Sequence, residues 1–485
     1  MLLLRAFYSL FGHIQDDNSK RTREAIEKCI WKTDEFGRPD KERLKIDSEV
    51  ATDNDKDEFL NILKTGEVTK DQNSSYAHNY RFFQKQIDEF LRLYPSFFAY
   101  LPQRIMNNCI LLPIEAESQD TALRIFSTLN DRGLPLSDSD IFKAQFYKYY
   151  TSQGKKDEFI KRWKILEEKT EKIFHPTYGT PMDELFTRYM YYVRAIRGQS
   201  DTTTIALRKF YESDKYGLMR QNETLSNLEQ LLAFWDDVSN QDVEVFSSRV
   251  LRCLFVLSYA PNGMWRYITS VYYMKNKDKE GKLDDEPFYH FLNIITAFIW
   301  AYSVYRPGLN SLRTPIYAEM LKIVAGQPVD FSNFRFDKQQ ISNMFRDYNF
   351  YNTRPITKSM LTWWAFQNKL QELMPLETTF DIEHIFAKSR VVTNKNSIEK
   401  LGNKSILEKR INIRASDYKF EDKKKYYIGF EKQGKKKEGT RVVELRELAN
   451  SKYDFTENDI SRRHDHILDG FIDYLEANNL IQDLR

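Results

Sequence analysis

The run Thr379-Phe380-Asp381-Ile382-Glu383-His384-Ile385-Phe386 constrains this chain most, because Phe380, Ile382 and Phe386 fall on alternate positions with His384 filling the remaining one. That period belongs to a strand, and it sets His384 in the same row, at the edge of a packed face. Gly402-Asn403-Lys404-Ser405-Ile406-Leu407 then reads as a turn and a short second strand, and Asn412 opens a more helical stretch. The expected order is strand, loop, strand, helix. A lone histidine on a strand, or an asparagine in a loop, usually serves packing or a turn. The three together fit phosphodiester hydrolysis, in which a neutral imidazole takes a proton from water and a divalent cation neutralises the leaving oxygen. Neighbouring strand residues point to opposite faces, so Glu383 and His384 share a site only if the strand twists or ends there, and Asp381 competes for the cation.

This arrangement resembles the HNH group of ββα-metal nucleases, in the variant whose third position is Asn. The resemblance makes His384 the general base and Asn403 the brace of the loop and its imidazole. It gives one Mg²⁺ or another divalent cation to Asn412 with Glu383 or Asp381. More of the chain is similar to the C-terminal domain of GmrSD-type restriction systems: Trp363-Trp364, Leu401-Gly402-Asn403, Phe420 with Lys423, and Phe455 to Arg463. Thr456 with Asp459 also reads as a helix N-cap and its acidic third-position partner. Ala387 and Lys404 depart from the family, which usually has Pro and an apolar residue there.

The amino-terminal part resembles the GmrS-like, ParB-fold domain through Ile125 to Ser137, Asp140 and Lys143. Upstream, Cys109 to Ile114 reads as a buried strand, and Ala122, Ile125, Phe126 and Leu129 as one helix face. Asn130, Arg132, Gly133 and Lys143 are candidates for a nucleotide or phosphate, since guanidinium and ammonium groups suit its oxygens. Gly133 as a helix stop and Ser137 as a cap explain the same pattern structurally. In this family an Asp-Gly-Gln-Gln-Arg strand end, tied to nucleotide hydrolysis, precedes a helix like Met1 to Tyr8. That motif is absent from the chain as given, so no intact NTPase site is expected; Asp337-Lys338-Gln339-Gln340 is only superficially similar.

The expected fold is α+β and predominantly helical. It comprises a ParB-like remnant over residues 1–150, a helical region over 151–350 and an HNH core embedded in helices over 351–485. The net charge of +3 on 485 residues is small, so a nucleic-acid footprint must be local. Lys419, Lys423, Lys424, Lys425, Lys432, Lys435, Lys436, Lys437 and Arg441 crowd one segment with Tyr426, Tyr427 and Phe430. Lys423, Lys424, Lys425, Lys404 and Arg410 are the candidates for DNA contact, with the aromatics available to stack on a base. Cys29, Cys109 and Cys253 form no metal-binding pair. Arg463-His464-Asp465-His466 reads as a solvated helix face. Phe291 to Tyr305 is too short and too polar to cross a bilayer and reads as a buried helix. No secretion signal opens the chain, and a cytoplasmic protein is expected. Leu225, Leu228, Leu231, Leu232 and Trp235 form a helical stripe, and Arg188, Arg194 and Arg197 recur on one helix as candidates for a groove.

The expected function is restriction of phage or foreign DNA, with modified DNA as the substrate the resemblance implies and self-association left open. A non-cleaving DNA sensor and an RNase of the same fold are the alternatives.

Overall fold

The computed structural model describes residues 1–11, 16–46, 53–110, 121, 137–199, 201–202, 205–389 and 395–482. The chain divides into two compact units, Met1–Leu134 and Pro135–Arg485. The structure is 65% helical with a few short strands, which makes it a predominantly helical α+β protein.

The first unit contains α1 (Leu2–Leu10), α2 (Asp17–Ile30), a hairpin of β1 (Trp31–Thr33) and β2 (Pro39–Leu44), α3 (Asp53–Thr65), α4 (Ser75–Leu93) and α5 (Tyr100–Asn108). Phe7, Phe11, Ile26, Ile30, Trp31, Ile62, Leu63 and Tyr80 build its core. Buried Arg5 donates from Nε to the carbonyl of Leu63 at 2.9 Å, tying α1 to the end of α3. After α5 the sequence expectation of a buried strand fails where it can be seen: Cys109 and Ile110 carry no strand, and Ile110 is 87% exposed. The remainder of that strand, the helix through Leu129, and Asn130, Arg132 and Gly133 lie outside the described residues.

The second unit starts with α6 (Asp138–Ser152), where Ser137 Oγ accepts the N–H of Asp140 at 3.1 Å, the expected cap. Then follow α7 (Lys156–Ile173), α8 (Pro181–Ile196), α9 (Leu207–Glu212), α10 (Asn222–Asn240), α11 (Ser248–Ser258), α12 (Met264–Asn276), α13 (Asp285–Tyr305), α14 (Leu309–Val324) and α15 (Lys338–Asp347). The Leu225-to-Trp235 stripe is buried on α10, and Phe291 and Trp300 are buried on α13. Asp337 caps α15, accepting the N–H of Gln340 at 2.6 Å, so the Asp-Lys-Gln-Gln run is a helix start. Next come α16 (Pro355–Gln367), β3 (Phe380–His384), β4 (Lys404–Glu408), α17 (Lys409–Ala415), α18 (Phe420–Ile428), β5 (Gly429–Lys432), β6 (Lys435–Glu438), α19 (Val443–Ser451) and α20 (Glu457–Ala477).

One hydrophobic core runs from Phe142 to Leu480, so the helical region and the last third of the chain pack as one body. α16 backs the β3–β4 hairpin, with Lys358 Nζ donating to the carbonyl of Phe380 at 2.6 Å. α20 opens on the capping box expected from Thr456 and Asp459.

The arginines expected to share a groove do not. Arg188 is buried between Phe174 and Trp235, Arg194 donates to the carbonyl of Asp201, and Arg197 pairs with Asp214. Positions six apart on a helix differ by roughly 240° in direction, so Arg188 and Arg194 serve different faces.

Candidate active site

β3 and β4 pair antiparallel in the register His384 with Lys404, Ile382 with Ile406, and Asp381 with Leu407. Directly opposed residues share a face, so His384 and Lys404 lie on one side of the ribbon. Asp381 and Glu383 alternate to the other side. α17 follows β4 at once, so the local order is strand, loop, strand, helix.

Asn403 is fully buried and clamps the loop that follows His384. Its Oδ1 accepts the N–H of Phe386 at 2.7 Å, while Nδ2 donates to the carbonyls of Phe386 at 3.2 Å and Ile398 at 3.1 Å. Its own carbonyl accepts the N–H of Ile385 at 2.9 Å. The clamp is on the backbone; among the described residues no asparagine bonds the imidazole, which corrects that part of the expectation.

His384 is 8% exposed, and its Nε2 has no hydrogen-bond partner among the described residues. Glu399 Oε1 lies 3.9 Å from that nitrogen. Burial first, then Lys388 and Lys404, lowers the imidazole pKa to about 3, against which Glu399 acts. The ring is therefore a neutral acceptor at any ordinary pH. Sequence reasoning missed Glu399. The signal was Lys404, a charged residue at an apolar position, because a buried ammonium demands partners. Lys404 Nζ donates to Glu399 Oε2 and to the carbonyl of Phe350, each at 2.5 Å. It is wholly buried, so the expectation that it touches DNA is corrected.

On the other face Asn412 Nδ2 and Asp381 Oδ2 stand 3.5 Å apart, one on α17 and one on β3. Glu383 is engaged elsewhere: Lys423 Nζ lies 2.9 Å from its Oε1, and Tyr427 donates its hydroxyl to the same oxygen at 2.5 Å. Lys423 also donates to the carbonyl of His384 at 2.6 Å. Burial raises the Glu383 carboxyl's pKa despite Lys423. Lys423 is 1% exposed and Tyr427 fully buried, so neither is a DNA contact as expected; both lock the end of β3. Among the described residues no cluster of three His, Cys, Asp or Glu side chains could hold a metal. A Mg²⁺ ion takes few protein ligands and keeps water and phosphate oxygens as the rest, but here the amide nitrogen of Asn412 faces Asp381, so the pair would hold such an ion only with the amide turned over to present its oxygen.

The remaining basic candidates are outside. Lys425 and Arg410 are exposed, and half-buried Lys424 donates to the carbonyl of Lys452 at 2.7 Å. Lys432, Lys435, Lys436 and Lys437 are exposed on the β5–β6 hairpin, whose turn places Gln433 (φ 52°) and Gly434 (φ 70°) in left-handed conformations. Arg414 of α17 donates to the carbonyl of Glu438 at 3.3 Å, which ties this lysine ribbon to the helix carrying Asn412. Lys143, the described phosphate candidate, pairs with Glu167 at 2.8 Å.

Behind the hairpin, α20 lies so close to the Leu401–Asn403 turn that a Cβ on Gly402 would stand 1.9 Å from the carbonyl oxygen of Ile460. Arg463 Nη1 donates to the carbonyls of Leu401, Gly402 and Lys404 at 3.0, 3.0 and 2.8 Å. Glu444 holds the rest of that guanidinium at 2.8 and 2.7 Å and accepts from Trp364 Nε1 at 2.7 Å. His464 is 1% exposed, which corrects the solvated face expected for it; His466 is exposed.

No helix among the described residues is long and apolar enough to cross a membrane. The comparisons agree with the residues just described. The family described as GmrSD restriction endonuclease, N-terminal domain, matches residues 2–147. The GmrSD restriction endonucleases, C-terminal domain, matches residues 336–469, which contain the hairpin, α17 and Arg463. No curated protein matches the chain. Carrying both domains over more than half its length, the chain belongs to the GmrSD restriction endonuclease family and is a DNA endonuclease of restriction.

Proposed function

We propose that the protein cuts DNA by an HNH-type, metal-dependent hydrolysis centred on His384, and that the DNA is modified phage or foreign DNA. The observation that carries this reading is Asn403 clamping the loop directly after His384 while Asp381 of β3 meets Asn412 of the adjoining α17. His384, neutral because it is buried among lysines, accepts a proton at Nε2 from the water that attacks phosphorus. Glu399, 3.9 Å away, stabilises the imidazolium that results. Asp381 and Asn412 would hold the cation; they lie on the other face of β3 from His384, so the two groups would serve one phosphate only around the end of the strand, which stops at His384. A bound cation would neutralise charge on the leaving 3′ oxygen. Lys423 and Tyr427 fix Glu383 and the carbonyl of His384, and so set where the strand ends. The exposed lysine ribbon binds the phosphate backbone.

The reading is tested by incubating plasmid and modified phage DNA, and RNA, with Mg²⁺ or with EDTA. Cleavage of DNA that EDTA stops supports it. A second reading, a DNA-binding sensor that does not cut, is favoured by the engagement of Glu383 with Lys423. Retained DNA binding with no cleavage under any divalent cation selects that reading.

A further inference from the structure

Within the second unit, Phe174, Arg188, Trp235, Trp265, Arg266 and Tyr267 line a cavity of about 570 Å³. None of the proposed nuclease residues lines it. Its volume lies in the range that encloses small organic ligands.

Arg188 is the unusual member, a guanidinium only 3% exposed. Phe174 and Trp235 cover it, each ring centroid 4.2 Å from Cζ. Rings stacked on a guanidinium leave only its edge for hydrogen bonds. Glu184 takes Nε at 2.8 Å, and Nη1, which has no partner among the described residues, is sealed from solvent, so a ligand bonds it only once a side chain covering it shifts. Burial lowers the pKa of Arg188 to about 10, so it remains cationic at neutral pH. A second cation, Arg266, stands over Trp265 with Cζ 5.8 Å from the ring centroid. Glu184 also lines the cavity and offsets one of the two arginines, leaving a net positive charge. A buried donor without a partner is costly, and a planar fork suits the oxygens of a phosphate. Trp235 is held in place by donating Nε1 to Ser270 Oγ at 3.0 Å, and Tyr267 stacks on Tyr191 at 4.6 Å. These walls are rigid and aromatic, suited to a planar ring.

We propose that this cavity binds a mononucleotide, with the phosphate on the Arg188 edge and Arg266, and the base against the aromatic wall. The site is separate from His384 and does not depend on the nuclease reading.

The test is calorimetric titration of the full chain with deoxynucleoside monophosphates, inorganic phosphate and deoxynucleosides, alongside tryptophan fluorescence. Saturable one-to-one binding of a mononucleotide is expected, with phosphate alone and nucleoside alone each weaker by about tenfold or more. Arg266→Ala, an exposed change, should weaken the mononucleotide by about tenfold, and Arg188→Lys, which keeps charge but loses the fork, by at least as much. His384→Ala should leave binding unchanged even where it stops cleavage. No saturable binding at millimolar mononucleotide overturns the proposal. So does phosphate binding as tightly as the nucleotide, or an affinity that Arg266→Ala leaves intact.

Discussion

The side-chain oxygen of Asn403 accepts the backbone N–H of Phe386 at 2.7 Å, so a residue from the second strand's entrance fixes the path of the chain two positions after His384. Asn403→Ala leaves the N–H of Phe386 and the carbonyls of Phe386 and Ile398 without these partners. A loss of about 1–3 kcal/mol is expected, since buried groups cannot find water in exchange. Urea unfolding measures it. Asn403→Asp should restore only the bond from Phe386 and lose both donated ones.

Gly402→Ala should be among the most damaging small changes in the chain. The added carbon would meet the carbonyl of Ile460 at 1.9 Å, so α20 must move. Arg463→Leu attacks the same packing from the other side, stripping three carbonyls and Glu444 of their donor. Breaking such a pair on one side costs about 3–5 kcal/mol. Thermal melts should show both variants well below the wild type; a melting point unchanged by Arg463→Leu would mean that the guanidinium does not brace the turn.

Lys435, Lys436 and Lys437 are exposed on their hairpin, so replacing all three by Ala should leave stability within about 0.5 kcal/mol. DNA affinity should fall, and the slope of log K against log salt should shrink by about 0.9 for each phosphate that no longer has a lysine to neutralise it. Filter binding across a salt series measures this. Lys404→Met and Lys423→Met should show the opposite division, because these ammonium groups are buried against Glu399 and Glu383. They should lower the melting point while leaving the salt slope alone.

Two histidines make stability depend on pH. Burial first, then nearby cations, lowers His384 to about 3 and His464 to about 4. Unfolded, both titrate near 6.5. Between those values the unfolded chain binds protons that the folded chain excludes, so the stability contributed by the neutral rings is complete above about pH 6.5 and is lost progressively as pH falls toward 4 and 3. Urea unfolding at pH 7.5, 6 and 5 should show that decline, and His464→Leu should flatten it. Because His384 stays neutral down to about pH 3, its own protonation should not reduce cleavage near pH 6.5.

The hairpin was legible because strand and helix periods differ, and because Asn403 stands at a turn; the helix expected to open at Asn412 starts three residues earlier, at Lys409, and carries Asn412 in its middle. Residues that carry the family likeness converge physically: Trp364 and Arg463 meet at Glu444 in one hydrogen-bonded group behind the Leu401–Asn403 turn. What was not legible depends on partners distant in sequence. A lysine run does not reveal that Lys423 turns inward onto Glu383, 40 positions earlier in the chain. Arg188 looked like one of a row, and only the packing of Phe174 and Trp235 separated it from Arg194. His464 looked solvated because Gly402, in the turn it packs against, is 62 positions earlier in the chain.

The most direct measurement is DNA cleavage and DNA binding by His384→Ala beside the wild type, in Mg²⁺ and in EDTA. Removing a general base should lower the cleavage rate by about 10²–10⁴ while binding stays nearly intact. Cleavage by His384→Ala at the wild-type rate, or wild-type cleavage that survives EDTA, would contradict the account.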